Sequence, residues 1–198
     1  MKWILEIRES KSIDSLQKGN KKMSFSKEEY KLIKTLVELD GISGYEQDIR
    51  NFLKEEYSKL GLSMIFDGLG GIFALKKSKN PSAFNVMIDA HMDEVGFLSA
   101  DITSEGKINL LPVGGHYPEK INGAPLRLKT KDGNIIKGKF VTDNEYKTYQ
   151  MDIGASKEEC SKLGIGYGDM VTFDTDLTQI SENRYVSKAY DDRYGVAL

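Results

Sequence analysis

The sequence predicts an α/β domain interrupted by a β-rich module, and three observations carry that reading. Two amphipathic helical stretches follow one another between residues 26 and 61. The apolar period then shortens, and from 96 to 186 the chain reads mostly as strands and turns. A helical segment resumes after 187. Helices, strands, a long β excursion and a return to helix describe a mixed domain that is left and re-entered.

The first helix begins at Ser26, with Glu29 three residues later. That spacing lets the serine hydroxyl and the glutamate satisfy each other's free backbone amides. Tyr30, Ile33, Leu36, Val37 and Leu39 form its apolar stripe, and Gly41 ends it. Ser43 with Glu46 repeats the capping pattern. Ile49, Phe52, Leu53, Tyr57 and Leu60 follow on one face, and Gly61 sits where a C-terminal cap belongs. Gly70-Gly71 leads into a short strand, Ile72-Phe73-Ala74-Leu75. Val86-Met87-Ile88 reads as a second, buried strand.

Beyond Gly96, the runs 97–102 and 107–113 flank a Ser104-Glu105-Gly106 turn. The runs 126–130 and 135–141 flank Lys131-Asp132-Gly133-Asn134, whose Asp-Gly is a hairpin signal. Ser156 with Glu159 caps a short helix that ends at Gly164 and carries Cys160, expected to be buried. Short strands are expected at 169–173 and 184–187. The resulting division is a disordered extension over 1–22, a first α/β part over 23–95, the β-rich module over 96–186 and a return over 187–198. Trp3, Ile4, Leu5, Ile7, Ile13 and Leu16 offer a partner-binding helix as the alternative reading of the extension. Two strands and two helices are too few to cover a sheet on both faces. A new apolar segment has just begun at Tyr194, Val196, Ala197 and Leu198, so the α/β domain is expected to be incomplete at its C-terminus.

Composition excludes several classes. The 198 residues are 39% hydrophobic and 29% charged, with a net charge of −2. Aromatics at 10% can build a core, which argues against wholesale disorder. No basic cluster could neutralise many phosphates, so nucleic acid is not an expected partner. One cysteine forms no internal disulfide framework. No run approaches the roughly 20 apolar residues of a membrane span. Trp3-Ile4-Leu5 is followed at once by Glu6, unlike a secretory signal. A cytoplasmic protein is expected.

Two stretches could carry chemistry. Asp89-Ala90-His91-Met92-Asp93-Glu94-Val95-Gly96 lies at a strand end, where ligand sites collect in open α/β sheets. A neutral imidazole is a good ligand for zinc and its neighbours, and a carboxylate two residues away can fix its tautomer. An isolated His-x-Asp pair is nonetheless more often a surface histidine that happens to lie near acids. Lys188-Ala189-Tyr190-Asp191-Asp192-Arg193-Tyr194-Gly195 precedes a nascent helix. A carboxylate there could bridge two metals, or could simply cap the helix.

Four motifs in order resemble one family. They are Asp-Gly-Leu-Gly-Gly at 67–71, Ala-His-Met-Asp-Glu-Val-Gly at 90–96, Asp-Ile-Gly-Ala-Ser-Lys-Glu-Glu at 152–159 and Ser-Lys-Ala-Tyr-Asp-Asp-Arg-Tyr-Gly at 187–195. Together they resemble the M42 metallo-aminopeptidases, whose members are also labelled endoglucanases. The resemblance runs from about residue 23 to 198, and Gly44 with the helix after it fits as well. It implies a peptidase-type α/β domain interrupted by a β-barrel-like dimerisation domain. It further implies a site of two divalent metal ions, Zn²⁺ or Co²⁺, that activates water to hydrolyse N-terminal residues from peptides.

Carried over residue by residue, His91 is implied as a metal ligand and Asp191 as the bridging carboxylate. Asp93 is implied as the catalytic carboxylate behind His91, and the Asp191–Asp192 bond as cis. Homo-oligomers from dimer to dodecamer, built through the inserted domain, are implied, with peptides as substrates. The family also uses a Glu pair, a further Asp and a second His after the bridging Asp, so this chain alone is expected to be inactive. His116, the only other histidine, is not at a family ligand position and reads as a loop residue. The stretch 138–150 is shorter and more polar than in many family versions. The competing expectation is a non-catalytic assembly or binding module derived from such an enzyme.

Overall fold

A computed structural model describes residues 2–3, 25–182 and 184–198. In chain order the elements are β1 (Lys2–Trp3), α1 (Lys27–Glu38), α2 (Gln47–Lys59), β2 (Ser63–Phe66), β3 (Ile72–Leu75) and β4 (Ile88–Asp89). Next come β5 (Gly96–Ile102), β6 (Ile108–Val113), α3 (Pro118–Ile121), β7 (Pro125–Lys129), β8 (Ile135–Val141), β9 (Gln150–Asp152) and α4 (Lys157–Lys162). The chain continues through β10 (Met170–Phe173), β11 (Thr178–Ser181), β12 (Arg184–Val186) and α5 (Tyr190–Ala197). Apart from Lys2 and Trp3, whose backbone pairs with β4, the expected extension over 1–22 lies outside the described residues. Among the described residues no helix is long and apolar enough to cross a membrane.

The β-rich stretch closes on itself as a six-stranded antiparallel barrel, in the order β10-β5-β6-β9-β8-β7. Alternation turns Phe97, Leu126, Leu128, Phe140, Met151 and Val171 inward, where they pack with Ile108 and Leu110. Cys160, on α4, seals the same core as a small apolar side chain. Its helix has the predicted reciprocal cap between Ser156 and Glu159. Gly106 turns so tightly beneath this helix that a Cβ would lie 1.9 Å from the Ala155 carbonyl oxygen.

The α/β layer draws on both sides of the barrel. Leu36 of α1, Ile49, Leu53 and Tyr57 of α2, Ile72 and Ala74 of β3, Ala90, Met92 and Val196 of α5 share one core. A smaller cluster joins Ile33 and Val37 to Leu177, with Phe25, Tyr30 and Tyr185 packed against it.

Two elements differ from the sequence reading, and four others have no counterpart in it. Helix α2 starts at Gln47 with Glu46 as its N-cap residue and no side-chain cap, because the Ser43 hydroxyl donates to Asp93 instead. The expected buried strand at 86–88 is a two-residue exposed strand, displaced to 88–89. Its only strand partner among the described residues is β1, and Ile88 is 42% exposed. Strands β2, β9 and β11 and the short α3 carried no clear sequence signal.

Phe140 is fully buried in the barrel core. Phe140→Ala is expected to destabilise the protein by about 3–5 kcal/mol in urea denaturation. Leu69→Ala, at a side chain 98% exposed, should change stability by less than about 0.5 kcal/mol.

Candidate metal-binding site

The site begins where the chain leaves the α/β layer for the barrel. Residues 90–93 form an irregular segment between β4 and β5. Ala90 and Met92 point into the α/β core, which leaves His91 and Asp93 facing outward. Gly96 then lets β5 approach its neighbours: a Cβ there would sit 2.6 Å from the Val171 carbonyl oxygen and from Ile42.

The second contribution comes from the far side of the barrel. Ala189 has a left-handed backbone (φ 61°), and Asp191 and Asp192 are non-helical at the start of α5, joined by a cis peptide bond. The two acids diverge. Asp192 Oδ1 accepts the Gly195 backbone N–H at 3.0 Å, the helix-start role open to either carboxylate. Asp191 turns the other way, and its Oδ1 lies 2.9 Å from His91 Nε2, across 100 residues of chain.

The other face of the imidazole is also engaged. His91 Nδ1 lies 3.0 Å from the Asp93 carbonyl oxygen and 3.1 Å from Asp93 Oδ1. Burial pulls the His91 pKa down, but the hydrogen bond to Asp191, that to the Asp93 backbone and the charges of both carboxylates outweigh it. The net shift is upward. A field that favours a proton between His91 and Asp191 also favours a cation there.

That surface contact does not hold itself together. The Asp191 side chain is 96% exposed and that of His91 51%, so solvent screens their attraction to a small value. The holding is done beneath. Lys188, with its side chain 4% exposed, places Nζ 2.5 Å from Asp40 Oδ1 and 2.7 Å from Glu94 Oε1. Asp40 also accepts from Arg127 of β7 at 2.7 Å and from Thr172 of β10 at 2.6 Å. Arg193 is fully buried. It donates to the Leu36, Leu39 and Gly41 carbonyl oxygens at 2.6, 3.0 and 3.3 Å, and to that of Met92. Glu94 and Gly41 exchange hydrogen bonds, N–H to carbonyl at 2.9 Å and N–H to Oε1 at 3.2 Å.

Burial raises the Glu94 pKa, although Lys188 and Arg193 oppose it. Burial works on Asp40 in the same sense, but Lys188, Arg127 and Thr172 outweigh it and hold that carboxyl below its usual range. The residues beside His91 and those beside Asp191 are thus locked into one buried ionic cluster.

Sequence reasoning picked out His91, Asp93 and Asp191, and these three side chains lie together. It missed Glu94, Lys188 and Arg193, although all three stand inside the quoted motifs. It also missed Asp40, Arg127 and Ser43. The signal available for Lys188 and Arg193 was a basic residue on either side of an acidic pair next to apolar sequence. Asp40 carried none. His116 is a packed loop residue: its ring stacks on Phe97 at 4.2 Å, and Nε2 lies 2.9 Å from the Gly96 carbonyl oxygen.

An imidazole nitrogen and a carboxylate oxygen, with a second carboxylate behind the ring, form a donor set suited to Zn²⁺ or Co²⁺. Two donors are fewer than the three protein ligands of a catalytic zinc site. Among the described residues no group of three or more His, Cys, Asp and Glu side chains is arranged to hold a metal.

Comparison with known proteins bears on this arrangement. The family model described as M42 glutamyl aminopeptidase matches residues 70–198. The chain is 34% identical over 183 residues to a glutamyl aminopeptidase of Lactococcus lactis subsp. cremoris, covering 84% of this chain and 51% of that protein. Its fold is similar to that of an aminopeptidase from the archaeon Desulfurococcus kamchatkensis, with a TM-score of 0.77 at 29% identity. That match covers 86% of this chain and 50% of the other. It is also similar to the TET1 peptidase of Pyrococcus horikoshii, which can assemble into a tetrahedron or a large octahedral shell. There the TM-score is 0.69 at 26% identity, over 85% of this chain and 53% of the other. The chain therefore spans about half the length of the relatives it matches.

The buried cluster has a measurable pH signature. The folded-state pKa of Asp40 lies below its unfolded value. Its stabilisation is complete above the unfolded carboxylate pKa and is lost as pH falls through the folded one. Glu94, shifted upward, acts in the opposite sense: protonation relieves its burial as pH falls. Asp40→Asn should lower stability at neutral pH and flatten the loss of stability below about pH 4, followed by urea denaturation across pH 3–7. Lys188→Met, which leaves two buried carboxylates without their ammonium, should cost about 3–5 kcal/mol.

Proposed function

The chain belongs to the M42 glutamyl aminopeptidase family, and from that premise we propose that it supplies one wall of a metal-dependent aminopeptidase site that removes N-terminal residues from peptides. The observation that carries the proposal is the approach of His91 Nε2 to Asp191 Oδ1, at 2.9 Å across 100 residues of chain. In this reading His91 and Asp191 are ligands to divalent cations, Zn²⁺ or Co²⁺, two in the complete site. When bound, such ions act as Lewis acids that activate water and polarise the scissile carbonyl.

The chain's own residues do the positioning. Asp93 accepts from Nδ1–H and so presents the Nε2 lone pair outward. Asp191 faces solvent on an open surface, as a carboxylate with two oxygens that can each take a cation. The Glu94–Lys188–Arg193 cluster keeps both segments in register.

Two protein donors do not complete a catalytic site, and the family resemblance puts the remaining Glu pair, Asp and His after the bridging Asp. The 198 residues by themselves are therefore proposed to bind cations weakly and to turn over no peptide. In the same reading the barrel is a domain inserted into a peptidase domain, through which copies assemble into dimers and larger particles. The protein is proposed to work in the cytoplasm. A second reading is favoured by one observation: the barrel closes with its own core among the described residues. It could then serve as a non-catalytic assembly module that pairs with intact subunits. A metal-free glycosidase reading gives His91 no role, because such sites use two carboxyl groups about 5–9.5 Å apart.

Isothermal titration with Zn²⁺ should give weak binding that His91→Ala and Asp191→Ala each lower by at least about tenfold. Aminoacyl-p-nitroanilides should not be cleaved by the 198-residue chain with Zn²⁺ or Co²⁺. Clear turnover would overturn the half-site reading, and particles of a single mass that bind no metal would favour the assembly module.

A further inference from the structure

Ser43 stands where a helix cap is expected, yet it does not cap α2. Its hydroxyl donates to Asp93 Oδ2, while Asp93 Oδ1 faces His91 Nδ1 at 3.1 Å. The two oxygens of that carboxylate are thus pinned from opposite sides, one by a serine and one by the imidazole. The loop that carries Ser43 is itself tied down at both ends. Ile42 bridges to Glu94, whose N–H donates to Gly41 at 2.9 Å. On the other side the Tyr45 hydroxyl reaches across to the Gly168 carbonyl oxygen of the barrel at 3.0 Å. Within the loop, Tyr45 N–H donates to Ile42 O at 2.8 Å and Gly44 N–H to Glu46 Oε1 at 2.9 Å. Gly44 takes a left-handed backbone (φ 86°) that favours glycine, which fixes the turn directly after the serine.

We propose that Ser43 is a positioning residue of the metal site: its hydroxyl holds the Asp93 carboxylate on the Nδ1 side of His91, so that the ring keeps Nε2 turned toward Asp191, where a cation would bind between the two. This rests on the reading of His91 as a ligand. The physical reason is rotational. A carboxylate held only by the imidazole can turn about its Cβ–Cγ bond, and Nδ1 is then left with the Asp93 carbonyl oxygen, at 3.0 Å, as its one fixed acceptor. A second hydrogen bond on the other oxygen removes that freedom. When a cation takes Nε2 on the Asp191 side, the ring proton then stays on Nδ1, against Asp93. The hydroxyl acts through Asp93 and touches neither a cation nor a substrate.

The test compares the 198-residue chain with its Ser43→Ala, Ser43→Thr, Asp93→Asn and His91→Ala variants by two readouts. The first is which His91 ring nitrogen carries the proton in the Zn²⁺-loaded protein, from long-range ¹H–¹⁵N spectra. The second is affinity for Zn²⁺ alone by titration calorimetry. Ser43→Ala should shift His91 from one dominant Nδ1–H tautomer towards a mixture and weaken Zn²⁺ binding about three- to tenfold, less than Asp93→Asn. Ser43→Thr, which keeps the hydroxyl, should restore both. A merely structural role would move neither readout while thermal stability stayed at the wild-type value.

An unchanged tautomer and an unchanged affinity in Ser43→Ala, with His91→Ala still losing binding, would overturn the role of Ser43 and leave the ligand reading standing. Undiminished Zn²⁺ binding in His91→Ala would instead overturn the ligand reading, whatever the tautomer does.

Discussion

The candidate site depends on a buried ammonium. Lys188 Nζ lies between Asp40 and Glu94, within 2.7 Å of each, in a place that solvent scarcely reaches. Each partner belongs to a different part of the chain. Asp40 ends the first helical stretch and reaches the barrel through Arg127 and Thr172, Glu94 follows Asp93, and Lys188 precedes Asp191 by three residues. Taking such charges out of water is costly, and a cluster of this kind is weak support for stability when compared with apolar packing. What it supplies is position. Ion pairs with fixed hydrogen-bond geometry hold 90–94 and 188–193 in one register, and the exposed His91–Asp191 contact follows from that.

The four motifs divide cleanly by physical role. Asp67 Oδ1 accepts the Leu69 and Gly71 backbone N–H groups, so the Asp-Gly-Leu-Gly-Gly motif is a turn that feeds β3. A Cβ at Gly71 would lie 2.6 Å from that carboxylate, which would have to turn away from the Gly71 N–H it accepts. The motif at 152–159 closes one end of the barrel: Asp152 accepts from Gly154, and Ser156 and Glu159 cap α4. Only the motifs at 90–96 and 187–195 meet at the site. A family pattern read from sequence therefore mixes backbone geometry with chemistry, and the hydrogen bonds separate the two.

Much of this was legible in the residues. The capped helices α1 and α4, the hairpins of β5 with β6 and β7 with β8, and the change of period at 96 all follow from local rules that the structure obeys. His91, Asp93 and Asp191 could be named because their motifs surround them. Closure of the strands into a barrel was not legible beyond the resemblance, since β9 is three residues long, and the pairings of β9 with β6 and of β10 with β5 join segments distant in sequence. Ser43 misled for a physical reason. A serine three residues before a glutamate has the spacing of a cap, but a nearby carboxylate competed for its hydroxyl and won. The ionic cluster was hidden because pairs such as Asp40 and Lys188 are 148 residues apart, and no local pattern connects them.

The most direct test is the position of a bound cation. Crystals of the chain soaked in Zn²⁺ and measured at the zinc absorption edge should show an anomalous peak about 2.0–2.2 Å from both His91 Nε2 and an Asp191 carboxylate oxygen. Peaks at other surface residues, with His91 and Asp191 in contact with each other and no density between them, would contradict the account.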